Sequence, residues 1–492
     1  MMSKSGDKKL YLIGIDSAPL WLLEEFKNAK GMEGIRRIMS EGKVVEMEST
    51  MPPMTGPAWP SIYTGLGPGG HGVPDFFYMK KDYTPDVAFF DSENVRPFWE
   101  RLASMGTRCL LITPAQITRL SRNPKIDMMS GFPLRSKTNN DEIQTLMQRY
   151  KFDGEPDIEN EMKGGKMSIG EGSRRYVESI AARSKIAKHM IEKNDYGFVY
   201  VCFTETDRMQ HSTLNNPKYR DYLLPIYSEI SKFVGYVIER AEKEGAQVLI
   251  VSDHGGQPIR QKFLVNSMLI KEGFVALKDS ISSDIKKEKK AGGVSLRYML
   301  REKLLTTRLR RVYDKMPYAM KKVVFNLSAS LFSKASHEEY VHIHLYDMDM
   351  EKTKAFAAIS NLVVGTIWIN DSRFSKGIVS KAEKGKVIRH LVSSLNKVKA
   401  PDGKKLFAKV EPTDKYYKGT KMFITPDLFL ETREGYTIDV KYFSLKSDFM
   451  RPELFKSGDH TRFGIYGALN GKVKDKMQVT DVAPQILAYF GA

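Results

Sequence analysis

Four short apolar runs along the chain predict buried β-strands. They are rich in Val, Ile and Leu, carry charge only at their ends, and occupy residues 10–16, 108–114, 196–207 and 247–255. Continuous apolar character, as opposed to alternation with polar residues, is typical of strands that are covered on both faces of a sheet. Each run is followed by residues typical of loops, so we expect four separate strands.

Helical patterns lie between these runs. Apolar residues recur at helical spacing in 18–29, 174–194 and 223–245, and Gly245 is typical of a residue that ends a helix. Strands alternating with helices predict an α/β fold, with a doubly wound, mostly parallel central sheet flanked by helices.

Two segments depart from this alternation. Residues 116–172 are rich in Asn, Asp, Lys and Gly, and we expect them to form a cap or lid near the active edge of the sheet. Residues 276–335 predict a basic helical insertion, after which strands and helices resume. The predicted catalytic core therefore comprises residues 1–275 and 336–492.

The overall composition is that of a soluble globular protein, with 41% hydrophobic and 28% charged residues. No apolar run approaches the roughly 18 residues that span a bilayer, and the apolar run near the N-terminus is too short for a secretory signal. Cys109 and Cys202 both fall in predicted strands, where we expect buried thiols and no disulfide. We expect a cytoplasmic protein.

The net charge of +18 is unevenly distributed. Residues 278–322 hold 14 Lys and Arg against 5 Asp and Glu, which is half of the excess. Two interpretations stay open: a solvated helical insertion, or a surface that binds anionic lipid or another polyanion at the membrane. No specific nucleic-acid-binding motif accompanies the charge.

Acidic residues follow three of the four predicted strands, namely Asp16, Asp207 and Asp253. Ligands bind at the carboxyl ends of the strands in open parallel sheets. We therefore expect these three carboxylates to converge at one edge of the sheet if their strands are neighbours.

Three histidines accompany these carboxylates. His211 follows Asp207 by one helical turn, His254 follows Asp253 directly, and His460 lies in a Gly-rich loop. Singly, each is also typical of a solvated helix face or a turn. Together, three Asp and three His can bind two divalent ions and leave positions open for a substrate, and this donor set favours Zn²⁺ or Mn²⁺. Two such ions are suited to phosphoryl displacement.

The stretch from Met54 to Gly72, MTGPAWPSIYTGLGPGGHG, adds hydroxyl groups to this set. Thr55 is followed nine and ten residues later by Thr-Gly, and sixteen and seventeen residues later by His-Gly. With Asp16, the DRMQH and SDHG motifs and the loop around His460, this order resembles the type I phosphodiesterase/nucleotide pyrophosphatase family of the alkaline phosphatase superfamily. The resemblance covers the core from end to end and excludes 116–172 and 276–335.

The resemblance implies a metal-dependent hydrolase that cleaves phosphodiester or phosphoanhydride bonds of a small-molecule phosphate ester through a phospho-threonine intermediate on Thr55. Binding to a metal lowers the pKa of the hydroxyl, so that it can attack phosphorus. Pro57 fits the first turn of a helix whose N-terminus would face the phosphoryl group. The implied ligands are Asp16, Asp253, His254 and Thr55 for one ion, and Asp207, His211 and His460 for the other.

Substrate contacts are expected from the backbone N–H of Gly56 and from Trp59, whereas His71 is expected to be structural. The nucleotide pyrophosphatases of this family typically carry a phosphoryl-binding Asn, and three residues after Thr55 this chain has Ala58. A sulfatase is excluded, because the stretch lacks the modifiable residue and the Arg of that motif. A phosphotransferase or phosphomonoesterase acting on sugar phosphates or lipid head groups stays open.

Overall fold

The computed structural model describes residues 8–156, 158–163, 166–279, 341–359, 364–419, 423–444, 447–450 and 457–492. Its helices are α1 Leu20–Phe26, α2 Glu33–Glu41, α3 Thr55–Thr64, α4 Pro68–His71, α5 Phe98–Ser104, α6 Asp141–Arg149, α7 Ile158–Lys163, α8 Ile169–Lys193, α9 Glu205–Thr213, α10 Tyr219–Glu244, α11 Val265–Lys271, α12 Lys381–Lys397 and α13 Val482–Phe490.

Its strands, in chain order, are β1 Leu10–Ile15, β2 Lys43–Glu48, β3 Phe77–Met79, β4 Pro85–Val87, β5 Cys109–Ile112, β6 Ile126–Met129, β7 Phe198–Phe203, β8 Gln247–Val251, β9 Gly255–Pro258, β10 Gln261–Leu264, β11 Val341–His342, β12 Ala355–Phe356, β13 Val364–Ile369, β14 Phe407–Pro412, β15 Leu428–Thr432, β16 Tyr436–Asp439, β17 Tyr442–Phe443, β18 Phe449–Met450, β19 Gly458–Thr461, β20 Phe463–Leu469 and β21 Met477–Gln478.

A central sheet of eight strands, in the order β21-β2-β20-β8-β1-β7-β5-β6, carries the core. The strands from β8 to β6 are parallel neighbours, whereas β20 runs antiparallel to both β2 and β8. The α/β fold class with a mostly parallel central sheet is therefore confirmed, with an antiparallel strand that makes the sheet mixed.

The apolar runs of β1 and β7 are explained by burial on both faces of this sheet. Tyr11, Ile13 and Ile15 of β1 pack into one apolar core with α8 and α10, whereas Leu10 and Leu12 pack into a second core on the opposite face. Every residue of β1 and β7 is buried. Alternate side chains thus point to opposite cores, and neither face tolerates a polar position.

The strands from β11 to β18 form sheets apart from the central sheet, which the sequence pattern does not reveal. β12, β13, β15 and β14 make a separate antiparallel sheet, and β16, β10 and β18 make a smaller one. The apolar runs of these outer strands are similar to those of the central strands, because the burial of a strand, and not its direction, determines its hydrophobic pattern. Gly245 ends α10 in the left-handed conformation, as expected.

The segment 116–172 is partly built into the core. Its strand β6 pairs with β5 at one edge of the central sheet, and α6 and α7 follow. The predicted basic insertion at 276–335 lies outside the described residues after 279. None of the helices in the described part of the chain is long and apolar enough to cross a membrane.

His71 is buried behind α3 and has the structural position expected for it. Ser61 Oγ donates to Pro57 O at 3.0 Å and accepts from His71 Nε2 at 2.9 Å, and the backbone N–H of Val73 donates to His71 Nδ1 at 3.3 Å. Burial lowers the pKa of His71 to about 3. The neutral imidazole thus connects α3 to the loop that follows α4.

Replacing His71 with Gln should change how stability depends on pH. An unfolded His takes up its proton near pH 6.5, whereas folded His71 does so only near 3, so the unfolded state binds more protons between these values and stability falls as pH falls. The variant lacks this titration. In urea unfolding, the difference in unfolding free energy between wild type and His71→Gln should therefore be about 2 to 3 kcal/mol smaller at pH 4.5 than at pH 7.5. An unchanged deficit would contradict the assignment.

Candidate active site

The first group of candidate ligands lies where two neighbouring parallel strands end. Asp16 follows β1, and Asp253 and His254 follow β8, so the pairing of these strands brings the three side chains together. His254 Nε2 is 3.2 Å from Asp253 Oδ2 and 3.6 Å from Asp16 Oδ1. Thr55 at the start of α3 adds its hydroxyl, with Oγ1 3.2 Å from His254 Nε2 and 3.4 Å from Asp16 Oδ1.

The second group lies beside the first, after β7. α9 places Asp207 and His211 one turn apart, and the pairing of β19 with β9 sets His460 opposite Gly256. His460 Nε2 lies 3.2 Å from Asp207 Oδ1 and 3.1 Å from His211 Nε2, and the other Asp207 oxygen is 3.4 Å from His211 Nε2. The rings of His460 and His254 stack at 3.9 Å, so the two groups form one continuous cluster.

Backbone carbonyls orient all three histidines. A hydrogen bond from Nδ1 to a carbonyl oxygen fixes the ring and leaves the lone pair of Nε2 facing the cluster, which is how metal-binding histidines are generally held. The Nδ1 atoms of His254, His211 and His460 donate to Gly255 O at 3.1 Å, Gly458 O at 3.1 Å and Pro53 O at 3.0 Å, respectively.

The cluster concentrates negative charge in the protein interior. Burial and the charges of Asp253 and Asp207 raise the pKa of Asp16 well above its usual range, and burial raises the pKa of Asp253 to about 7. Burial also opposes ionisation of Asp207, but the adjacent His211 and His460 outweigh it and hold its pKa well below the usual range. Asp207 in turn overcomes the effect of burial on His211 and raises its pKa to about 9.

These residues fit divalent metal ions. Asp207 Oδ1 and Asp253 Oδ2 are buried and accept no hydrogen bond from the residues that the structure describes, although a histidine Nε2 lies 3.2 Å from each and buried carboxylate oxygens are normally satisfied. Three imidazole Nε2 atoms point at the same space. Oxygen and nitrogen donors in this arrangement suit two cations, which would also neutralise the buried carboxylates.

Asp459 is a candidate ligand that the sequence analysis missed. It forms a third close group with His211 and His460 and accepts a hydrogen bond from the Thr437 hydroxyl. Its position next to His460 could have indicated a ligand, but acidic residues are common in Gly-rich loops, so nothing in the sequence was a reason to select it. The packing of α9 against β19, which brings Asp459 close to His211, identifies it.

Of the two predicted substrate contacts, Trp59 occupies a different position from the one expected, whereas Gly56 follows Thr55 in the first turn of α3. Trp59 is fully buried, and its indole Nε1 donates to Asp16 Oδ2 at 3.0 Å, so it supports a candidate ligand and does not line the cavity. A Cβ on Gly56 would lie 3.2 Å from the backbone of Asp75 and Phe76, which explains the glycine. Ala58 is fully buried too, so an amide at this position would point into the core.

A cavity of about 540 Å³ opens above Thr55 and the cluster. Among the described residues, its wall contains no Asn or Gln. Cationic and aromatic side chains are present instead, and the sequence did not indicate them: Arg208 on α9, Lys262 on β10, Lys441, Phe76, Phe77 and, from the 116–172 segment, Phe132. Asp75, Glu159 and Asp459 add acidic groups to the wall.

The fold and this cluster define an α/β protein of the alkaline phosphatase type. More particularly, the chain belongs to the type I phosphodiesterase/nucleotide pyrophosphatase family, whose family model matches residues 10–446. The predicted family and the enzyme class, a phosphodiesterase of the nucleotide pyrophosphatase kind, are thereby confirmed. His460 lies beyond the matched residues, so its place in the cluster rests on the structure.

Solved structures share the fold at low sequence identity. Phosphonoacetate hydrolase from Sinorhizobium meliloti 1021, in complex with phosphonoformate, has 12% identity and a TM-score of 0.53 over 99% of this chain and 96% of that one. Its complex with phosphonoacetate gives a TM-score of 0.54 at the same identity and coverage. Human ectonucleotide pyrophosphatase/phosphodiesterase 5 has 14% identity and a TM-score of 0.47, over 98% and 95% of the two chains. No curated protein matches the sequence.

Replacing Trp59 with Phe should weaken metal binding by about 10-fold, because Asp16 loses the donor that orients it. The matched control is Trp99→Phe, which truncates a buried indole in the same aromatic cluster but without contact to Asp16. Competition with a chromogenic chelator measures the affinity for Zn²⁺. Equal affinities in the two variants would show that the indole hydrogen bond has no role at the metal site.

Proposed function

We propose that this protein is a metal-dependent hydrolase that cleaves phosphodiester or phosphoanhydride bonds with Thr55 as its nucleophile. The observation that carries the proposal is the position of the Thr55 hydroxyl. It lies at the N-terminus of α3 and on the wall of the cavity, within 3.4 Å of both Asp16 and His254. Family membership supports phosphoester hydrolysis as the reaction class.

The proposed ligands fall into the two groups described above. Asp16, Asp253 and His254 would hold one divalent ion together with Thr55, and Asp207, His211 and His460 would hold the other, with Zn²⁺ or Mn²⁺ favoured by the donor set. When bound, such ions lower the pKa of the hydroxyl and neutralise charge on the phosphoryl group. Asp459 is close enough to His460 to contribute to the second site.

The chain's own residues account for the remaining chemistry. The Thr55 oxygen forms a bond to phosphorus as the bond to the leaving oxygen breaks, and the leaving group takes up a proton. Water then attacks the phosphothreonine, which releases the phosphoryl product and restores the hydroxyl. The first N–H groups of α3, including that of Gly56, have no acceptor within the helix, so the helix N-terminus can stabilise the negative phosphoryl oxygens.

Replacing Thr55 with Ala should lower kcat/KM for bis(p-nitrophenyl) phosphate by at least about 10³-fold, because the nucleophile is lost. Thr55→Ser should retain part of the activity. The control is Thr64→Ala in the same helix, whose hydroxyl donates to Pro60 O. Acid quenching during turnover and mass spectrometry should detect a phosphoryl group on Thr55.

Undiminished activity of Thr55→Ala would exclude the proposed nucleophile. A preference for p-nitrophenyl phosphate over the diester would contradict only the diesterase assignment and would favour a monoesterase.

Removing bound metal with a chelator should abolish hydrolysis and lower the melting temperature. The reason for the loss of stability is that Asp16, Asp207 and Asp253 are largely buried, lie close together and repel one another without a counter-ion. Adding back Zn²⁺ or Mn²⁺ should restore both properties, whereas Ca²⁺ should not. Activity and melting temperature that are unaffected by metal depletion would refute the proposed cofactor.

A further inference from the structure

Arg208 lies where α9 meets the 116–172 segment, next in sequence to the candidate ligand Asp207. Its side chain is 17% exposed, and it lines the same cavity as Thr55. Neither the proposed metal sites nor the proposed reaction steps use it. A guanidinium group is always charged at physiological pH and presents several donors in a plane, so its position in the cavity needs a chemical explanation.

The guanidinium is fixed from one side by two residues of the 116–172 segment. It lies over the ring of Phe132 at 4.5 Å, and its Nε is 3.5 Å from Glu155 Oε2. Glu155 is itself anchored, since its other carboxylate oxygen lies 3.6 Å from the fully buried Arg183. Arg183 in turn pairs with Glu205 at the start of α9. Arg208 is therefore held in a defined orientation.

The terminal nitrogens of Arg208 remain available to a ligand. Of the acidic residues that the structure describes, Glu155 is the one within 4 Å of the guanidinium, and it approaches Nε. Lys262 and Lys441 line other parts of the cavity wall, and Lys262 is paired with Asp439 at 3.3 Å. The cavity thus offers oriented cationic donors outside the cluster that surrounds Thr55.

We propose that Arg208 binds a second oxyanion of the substrate, a carboxylate or phosphate group other than the phosphoryl group that Thr55 attacks. The inference rests on the proposed function and specifies its substrate class: phosphodiesters or phosphoanhydrides with an anionic group on one arm. A planar guanidinium matches an oxyanion through paired hydrogen bonds, which gives selectivity for charge as well as affinity. Arg208 is thus a residue that determines specificity.

The test uses three p-nitrophenyl phosphodiesters that differ only at the end of the second ester arm. The arm ends in a carboxylate, a phosphate monoester or an uncharged amide. Wild type should prefer one or both anionic substrates, and the larger preference identifies the group that is bound. In Arg208→Ala, kcat/KM for the anionic substrates relative to the amide should fall by about 10- to 100-fold, mainly through KM. Arg208→Lys should retain part of the preference.

Arg220→Ala is the matched control. Arg220 also pairs with a glutamate, Glu25, and also lies over a phenylalanine ring, that of Phe26, but it does not line the cavity. This variant should keep the wild-type preference. If Arg208→Ala does not fold, Arg208→Gln and Arg208→Lys provide the same comparison.

Three results would overturn the inference and leave the proposed function intact. Wild type could hydrolyse the three diesters equally well. Arg208→Ala could also lose activity equally on all three, which would show that Arg208 only joins the 116–172 segment to the core. The preference could also survive in Arg208→Ala, and its loss in Lys262→Met would then assign it to Lys262. If wild type hydrolyses none of the diesters, the proposed function fails first and the inference fails with it.

Discussion

Three largely buried carboxylates at the ends of adjacent parallel strands are the constraint on which the site depends. Asp16 follows β1, Asp253 follows β8 on one side of it, and Asp207 lies just after β7 on the other. Negative groups this close cannot all ionise in the interior without positive charge nearby. The fold supplies part of that charge from His211 and His460. The carboxylate oxygens that accept no hydrogen bond from the described residues leave room for cations to supply the rest.

The position of Asp16 depends in turn on aromatic packing beneath the sheet edge. The Trp59 indole that bonds to Asp16 packs with Tyr63 and Tyr200. A Cβ on Gly14 of β1 would lie 2.7 Å from the Trp59 ring, so only glycine lets the indole reach over the strand. Because α3 carries both Trp59 and Thr55, the same packing that orients Asp16 also sets the place of the hydroxyl.

The sequence predicted those parts of the site that depend on local pattern. Asp207 and His211 share one helical turn, and Asp16 and Asp253 end apolar strands, so the pattern predicted one common edge on the condition that the strands are neighbours, and the sheet order meets that condition. Arg208, Lys262 and Asp459 were missed because they reach the cavity only through packing between elements that are distant in the chain. Spacing also cannot tell which way a helical side chain faces. Hence Trp59 and Ala58 of α3, both expected near substrate, are buried behind the site.

The buried charges behind α9 couple the 116–172 segment to the site. Arg183 of α8 bonds to Glu205 at 2.9 Å, and Glu155 lies between Arg183 and Arg208. A buried ion-pair network contributes little net stability, because desolvation offsets the attraction, but removing one member leaves the others uncompensated. The main effect of this network is therefore to fix the positions of the side chains and of the elements that carry them. A shift of α9, which carries Asp207 and His211, would disturb Glu155. The network therefore positions α9 and the 116–172 segment, which forms part of the cavity wall, together.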